Sequence, residues 1–147
     1  PLGYVLLANP IRKEAPETFA YFAEQGVEVK VISGDNPLTV SEVAKEAGIA
    51  DDKIMLDPGV GFAKSYENNL EAIQKVGRLH ELGYPVLLGT SRKSVVGLTL
   101  DTTKDERVEG TLVTTVFGVQ QGCAFVRVHD VKENMRAIRM TQAILKG

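Results

Sequence analysis

One cysteine, two histidines and no apolar run near 18 residues define what this 147-residue chain does without. The lone Cys123 excludes an intramolecular disulfide, and with only two histidines beside it the ligand set for zinc is too poor. Cys123 follows Gly122 at the start of an apolar run and has no activating neighbour in sequence, so it reads as a structural thiol rather than a nucleophile. Without a long apolar run there is no membrane span to expect. Nothing at the start resembles a signal peptide, and an opening Pro1 suggests an excised fragment or a removed tag. Charge is as unbiased: 17 Lys and Arg against 19 Asp and Glu, a net of −2, give no pull toward nucleic acid or a membrane surface. A cytoplasmic, recombinantly made monomer with small-molecule partners is the expectation.

What is present is a repeated strand-then-helix rhythm. Short, nearly continuous apolar runs at residues 4–8, 27–32, 53–56, 86–88 and 124–128 read as strands. Helices follow each. The first has Pro16 in its opening turn and Phe19, Phe22 and Ala23 as its apolar face. The second has Asn36 before Pro37, and Thr39-Val40-Ser41-Glu42 at capping-box spacing. A third spans 66–82, with Leu70, Ile73, Val76 and Leu79 inward; a short one begins near Ser91. A longer one over 106–121 buries Val113, Val116 and Phe117, and the last, capped by Asp130 with Glu133, buries Ile138 and Ile144. Five such units are too few for an eight-stranded barrel. They predict a single α/β domain over 1–147: a five-stranded parallel sheet with helices on both faces, flavodoxin-like or Rossmann-like in order 2-1-3-4-5. A half barrel that dimerises is the alternative.

Ligands of parallel α/β folds sit at the carboxyl ends of strands, and three ends here carry chemistry. The run Asp57-Pro58-Gly59-Val60-Gly61-Phe62 offers a carboxylate beside glycines that allow close backbone approach. Asp57 could pair bidentately with a guanidine-like edge, or simply hold the loop after the strand. Gly89-Thr90-Ser91-Arg92-Lys93-Ser94 puts two cations at a helix start, against the macrodipole, an arrangement that a bound anion would reverse or that solvent would absorb. Arg127-Val128-His129-Asp130 puts Arg127 and His129 on one side of the last strand, a further cationic end on the same sheet edge. His80 lies on a helix and receives no role.

From Ile54 onward, IMLDPGVGFAKS, LLGTSRKS and FVRVHDVKE resemble, in order and spacing, the C-terminal half of dihydropteroate synthase, a (βα)8 barrel of folate synthesis. That resemblance implies pterin recognition by Asp57, with Phe62 and Gly89 by the pocket. It places Ser91 and Lys93 on the pterin and p-aminobenzoate sides, and Arg127 and His129 at the pyrophosphate leaving group. It also implies Mg²⁺ wherever transferase activity survives, though the residues matching the family's metal site fall in its absent first half. Ala63 stands where the family often has Gly.

Residues 1–50 resemble instead the phosphorylation domain of P-type cation-transporting ATPases, a haloacid-dehalogenase-like fold, through Ser33-Gly34-Asp35-Asn36 and an Asn9-Pro10 motif. The nucleophilic Asp and the metal-holding segment of that family are missing, which excludes autophosphorylation and leaves Asp35 and Asn36 as caps. Two partial signatures joined near residues 50–53 predict an engineered chimera with no evolved catalysis, no catalytic residues and no cofactor. The alternatives are a residual pterin, phosphate or pyrophosphate module, or a half-enzyme that needs a partner chain.

Overall fold

The computed structural model of the chain describes residues 12–27 and 37–147. The expected strands at 4–8 and 27–32, and the Asn9 and Ser33–Asn36 motifs, lie outside the described residues, apart from Val27.

Helix α1 (Ala15–Glu24) begins with Pro16 at its first turn, where a missing N–H costs nothing. It buries no residue; Phe19 packs partly on the cluster around Ala44, Ala47 and Ile54, and Phe22 stays exposed. Helix α2 (Pro37–Glu46) starts at Pro37, so Thr39 lies inside the first turn rather than at the cap. Helix α3 (Tyr66–Gln74) is capped by the Ser65 side chain, which accepts from Asn68 N–H at 3.2 Å. The expected single helix over 66–82 breaks there: Val76–Leu82 tightens into 3-10 turns ending at Gly83. Strand β1 (Leu87–Leu88) pairs in parallel with β2 (Phe125–Val126), with α4 (Ser94–Leu100) and α5 (Val108–Gln120) between them and α6 (Val131–Lys146) after.

The predicted five-stranded flavodoxin-like sheet does not form among the described residues. Among the described residues only β1 and β2 are strands, with Leu56 bridged in parallel to Val86. Leu56 N–H donates to Pro85 O at 2.9 Å and Leu87 N–H to Leu56 O at 2.8 Å; Arg127 N–H reaches Leu88 O at 3.0 Å. The three later segments are therefore sequential parallel neighbours, as expected, with 86–88 in the middle. Val86 and Leu88 are fully buried, packed with Val60, Val76 and Val95. That core aligns the three chain ends at residues 57, 89 and 127.

Helix α5 turns the other way from its sequence expectation. Thr111, Thr115 and Gly118 face inward, while Val113 and Phe117 line an open apolar groove of about 290 Å³ with Leu70 and Leu100. Close contact decides the orientation. A Cβ at Gly118 would stand 2.9 Å from Leu88 Cδ2, and Thr115 Oγ1 donates to Asn134 Oδ1 at 2.6 Å. Apolar periodicity does not register a helix docked through small and hydroxyl side chains. Likewise α6 buries Asn134 and Thr141, and Ile144 is exposed.

Cys123 packs against this core, and burial pushes its thiol up to about 11 from 9.0. The thiolate is the reacting form. The native protein should therefore react with a thiol reagent at pH 8 about 100-fold more slowly than the unfolded chain. Equal rates would place Cys123 in open solvent.

Candidate ligand site at three strand ends

The chain after Leu56 turns at once. Asp57, 3 % exposed, folds its carboxylate back so that Oδ1 accepts Gly59 N–H at 2.7 Å. Asn69 of α3, itself buried, accepts Gly61 N–H at 2.6 Å and donates to Ser65 O at 2.9 Å. Lys64 Nζ donates to Gly59 O at 3.0 Å. Gly61 has φ +82, and a Cβ there would meet Lys93 Cδ at 2.9 Å, so only glycine fits both the turn and the passing lysine. Ala63 also takes a positive φ of 46, a conformation that glycine adopts more easily.

Lys93 crosses from the neighbouring strand end onto this loop. Its ammonium donates to Val60 O and sits 4.5 Å from the centroid of the exposed Phe62 ring. Partial burial holds the Lys93 ammonium below the usual lysine range; Asp57 opposes that shift, and Arg127 and Lys64 add to it. Gly89 leaves its Cα bare. A Cβ in its place would lie 3.2 Å from an Arg127 guanidinium nitrogen and 3.6 Å from Asp57 Oδ2. A carboxylate, Asp57, and the cations Lys64, Lys93 and Arg127 thus gather around the Gly59–Gly61 turn and Gly89.

Ser91 closes the other end. Its Oγ accepts His129 N–H at 3.1 Å and lies 2.9 Å from His129 Nδ1. With Nδ1 engaged by Ser91 Oγ, Nε2 is the His129 ring nitrogen left for a ligand.

Arg92 departs from its expected role. It is no free cation at a helix start: Nε donates to Asp130 Oδ2 at 3.1 Å and a terminal nitrogen to Asp130 Oδ1 at 2.7 Å, with Asp105 at 3.3 Å. Asp130 holds the N-cap position of α6, as expected, but its side chain makes no capping bond to the helix. The Arg92 hydrogen bonds hold the Asp130 carboxyl below its ordinary 3.8; partial burial opposes them, and the charges of Arg92 and His129 add to the lowering. A folded value below the unfolded one stabilises the fold above pH 3.8 and loses that stability as pH falls through the folded value. Asp130→Asn should therefore melt below wild type near neutrality, and the gap should narrow as pH falls below 3.8. A gap that persists there would contradict the pairing.

Every residue expected at the site is brought to this edge: Asp57, Phe62 and Gly89 with Lys93 and Arg127 on one side, Ser91 with His129 on the other. The contributions of Asn69, Lys64, Asp130 and Thr111 were not anticipated. They act through backbone groups and ion pairs between segments 5 to 38 residues apart, for which a sequence offers no periodic signal. Among the described residues no group of three His, Cys, Asp or Glu side chains could hold a metal ion. At this edge Asp57 stands among the cations Lys93, Arg127 and Lys64, a donor set that does not fit Mg²⁺.

Comparison with known proteins places this geometry. A family model described as pterin binding enzyme matches residues 4–129. Dihydropteroate synthase of Clostridium beijerinckii is 57 % identical over 105 residues, covering 71 % of this chain and 39 % of that protein. The Escherichia coli K12 dihydropteroate synthase is 36 % identical over 137 residues, 92 % of this chain and 45 % of its own length. A Clostridium difficile dihydropteroate synthase, crystallised in the presence of pteroic acid, superposes with TM-score 0.74 at 40 % identity, covering 88 % of this chain and 54 % of that one. The chain spans about two fifths of the length of these curated relatives. These structural neighbours make the fold a fragment of barrel type rather than a flavodoxin-like sheet. The matched residues run without a break across the 50–53 join, and no P-type ATPase or chimera is supported, nor the inactivity argued from one. From residue 4 to residue 129 the chain belongs to the pterin binding enzyme family.

Proposed function

We infer that this chain is the pterin-binding, C-terminal half of a dihydropteroate-synthase-type transferase. The observation that supports it most is the buried Asp57 carboxylate, held by Gly59 N–H with its Oδ2 beside the bare Cα of Gly89 and the Arg127 guanidinium, in the field of Lys93. An Oδ1 that accepts one N–H keeps a second lone pair, and Oδ2 makes no hydrogen bond among the described residues. Together they accept the adjacent amino and ring N–H groups of a pterin. Phe62 offers a ring face to the bicycle. Ser91, His129 Nε2 and Arg127 are the donors for a pyrophosphate.

In the transfer itself, the amine nitrogen of p-aminobenzoate attacks the exocyclic methylene of the dihydropterin. The C–O bond to pyrophosphate breaks, the leaving group takes the electron pair, and the amine loses one proton. On this reading the chain's groups hold the pterin and neutralise the departing oxygens. The rest of the catalytic apparatus belongs to the part of the relatives' length that this chain does not span.

Calorimetric titration with pteroic acid tests the reading. Saturable one-to-one binding, weakened by added pyrophosphate and by salt, is expected, because exposed cations are screened. Heat indistinguishable from dilution at millimolar ligand would overturn it.

A further inference from the structure

We propose that Arg107 is a positioning residue for this site: it fixes the loop between Ser91 and Lys93 in its ligand-ready shape before any ligand arrives. The proposal rests on the pterin-binding reading, but its structural half can be judged without a ligand.

Arg92, between the two candidate ligand residues, has φ +55, a left-handed conformation uncommon for a side chain of its size. Such a conformation persists only where its surroundings over-determine it. Here they form a closed ring around one residue. Arg92 N–H donates to Thr111 Oγ1 at 3.1 Å. Thr111 Oγ1 donates to Arg107 O at 2.7 Å. An Arg107 guanidinium nitrogen returns to Arg92 O at 3.0 Å. Both backbone groups of Arg92 are thereby tied to the first turn of α5.

The guanidinium is placed for this task. It lies flat over Gly97 of α4, where any Cβ would collide with it. Its other terminal nitrogen reaches Thr102 O at 3.3 Å. Among the described residues it meets no carboxylate, and its Nε is buried with no partner, as is Thr102 Oγ1. Burying a cation against carbonyls alone is costly. It makes sense where the carbonyl held is the one that turns Ser91 toward His129 and Lys93 toward Phe62.

The test uses Arg107→Ala, Arg107→Lys, Gly97→Ala and the Gly97→Ala/Arg107→Ala double variant. Pteroic acid is the probe, with amide NMR of the ligand-free protein alongside. Arg107→Ala should weaken binding about tenfold or more and move the Ser91 and His129 amide signals. Millimolar guanidinium should restore both. Gly97→Ala should reproduce the defect, and the double variant should be no weaker than the worse single one. Should Arg107→Ala not fold, Arg107→Lys carries the comparison, with intermediate affinity and displaced loop signals expected. Full affinity in a folded Arg107 variant would overturn the proposal, as would a loss that guanidinium does not restore while the Ser91 and His129 signals stay put. If wild type fails to bind pteroic acid, the pterin reading fails, and the ligand-free amide signals alone decide whether Arg107 sets the loop.

Discussion

Asp57→Asn should leave the fold intact and reduce pteroic acid binding by about 100-fold or more, from the loss of two charge-assisted hydrogen bonds at roughly 1.5 kcal/mol each. The variant is nearly isosteric. Its amide oxygen can still accept Gly59 N–H, now at 2.7 Å from Oδ1, so the turn at residues 57–59 survives. What disappears is the negative charge in a space ringed by Lys93, Arg127 and Lys64. The amide also exposes donors to the donors of the pterin edge, a repulsive pairing. Thermal melts should therefore overlap while binding collapses. Wild-type affinity in Asp57→Asn would show that the pterin edge is read elsewhere; a large drop in melting temperature would show that Asp57 serves the loop.

Asn134→Ala should be the most destabilising of the substitutions considered, by about 2–4 kcal/mol. Asn134 is 1 % exposed, accepts from Thr115 Oγ1 at 2.6 Å and donates to Asp130 O at 2.8 Å. Truncation strands the buried Thr115 hydroxyl on α5, at a cost of about 1–3 kcal/mol, and leaves a cavity that adds to it, while Asp130 O keeps its bond from the residue 134 backbone N–H at 3.1 Å. Removing both partners is milder than removing one. Thr115→Val with Asn134→Leu should recover part of the loss in chemical denaturation, whereas additive losses would show that packing rather than hydrogen bonding is at stake.

The three later segments and their order were legible because short apolar runs bounded by glycine and proline carry a strong signal. The convergence of the candidate residues was legible for a related reason: each follows a short apolar segment, and parallel pairing brings the ends of those segments to one edge. The helical faces were less legible. Val113 and Phe117 satisfy apolar periodicity, yet α5 docks through Thr111, Thr115 and Gly118, whose small size permits a close approach to Leu88. Arg92 was left open between a bound anion and solvent because the sequence separates it from Asp130 by 38 residues, and only the fold brings them together. Two partial signatures suggested two parents. The family match across residues 4–129 corrects that.

The central claim is that one edge, built from residues 57–62, 89–93 and 127–129, receives a pterin. Backbone NMR during titration with pteroic acid tests it most directly. The account predicts saturating shifts concentrated in those three segments, with Gly59, Gly61 and Gly89 among the largest. It is contradicted by shifts centred on the apolar groove at Leu70, Val113 and Phe117, or by an unchanged spectrum at millimolar ligand.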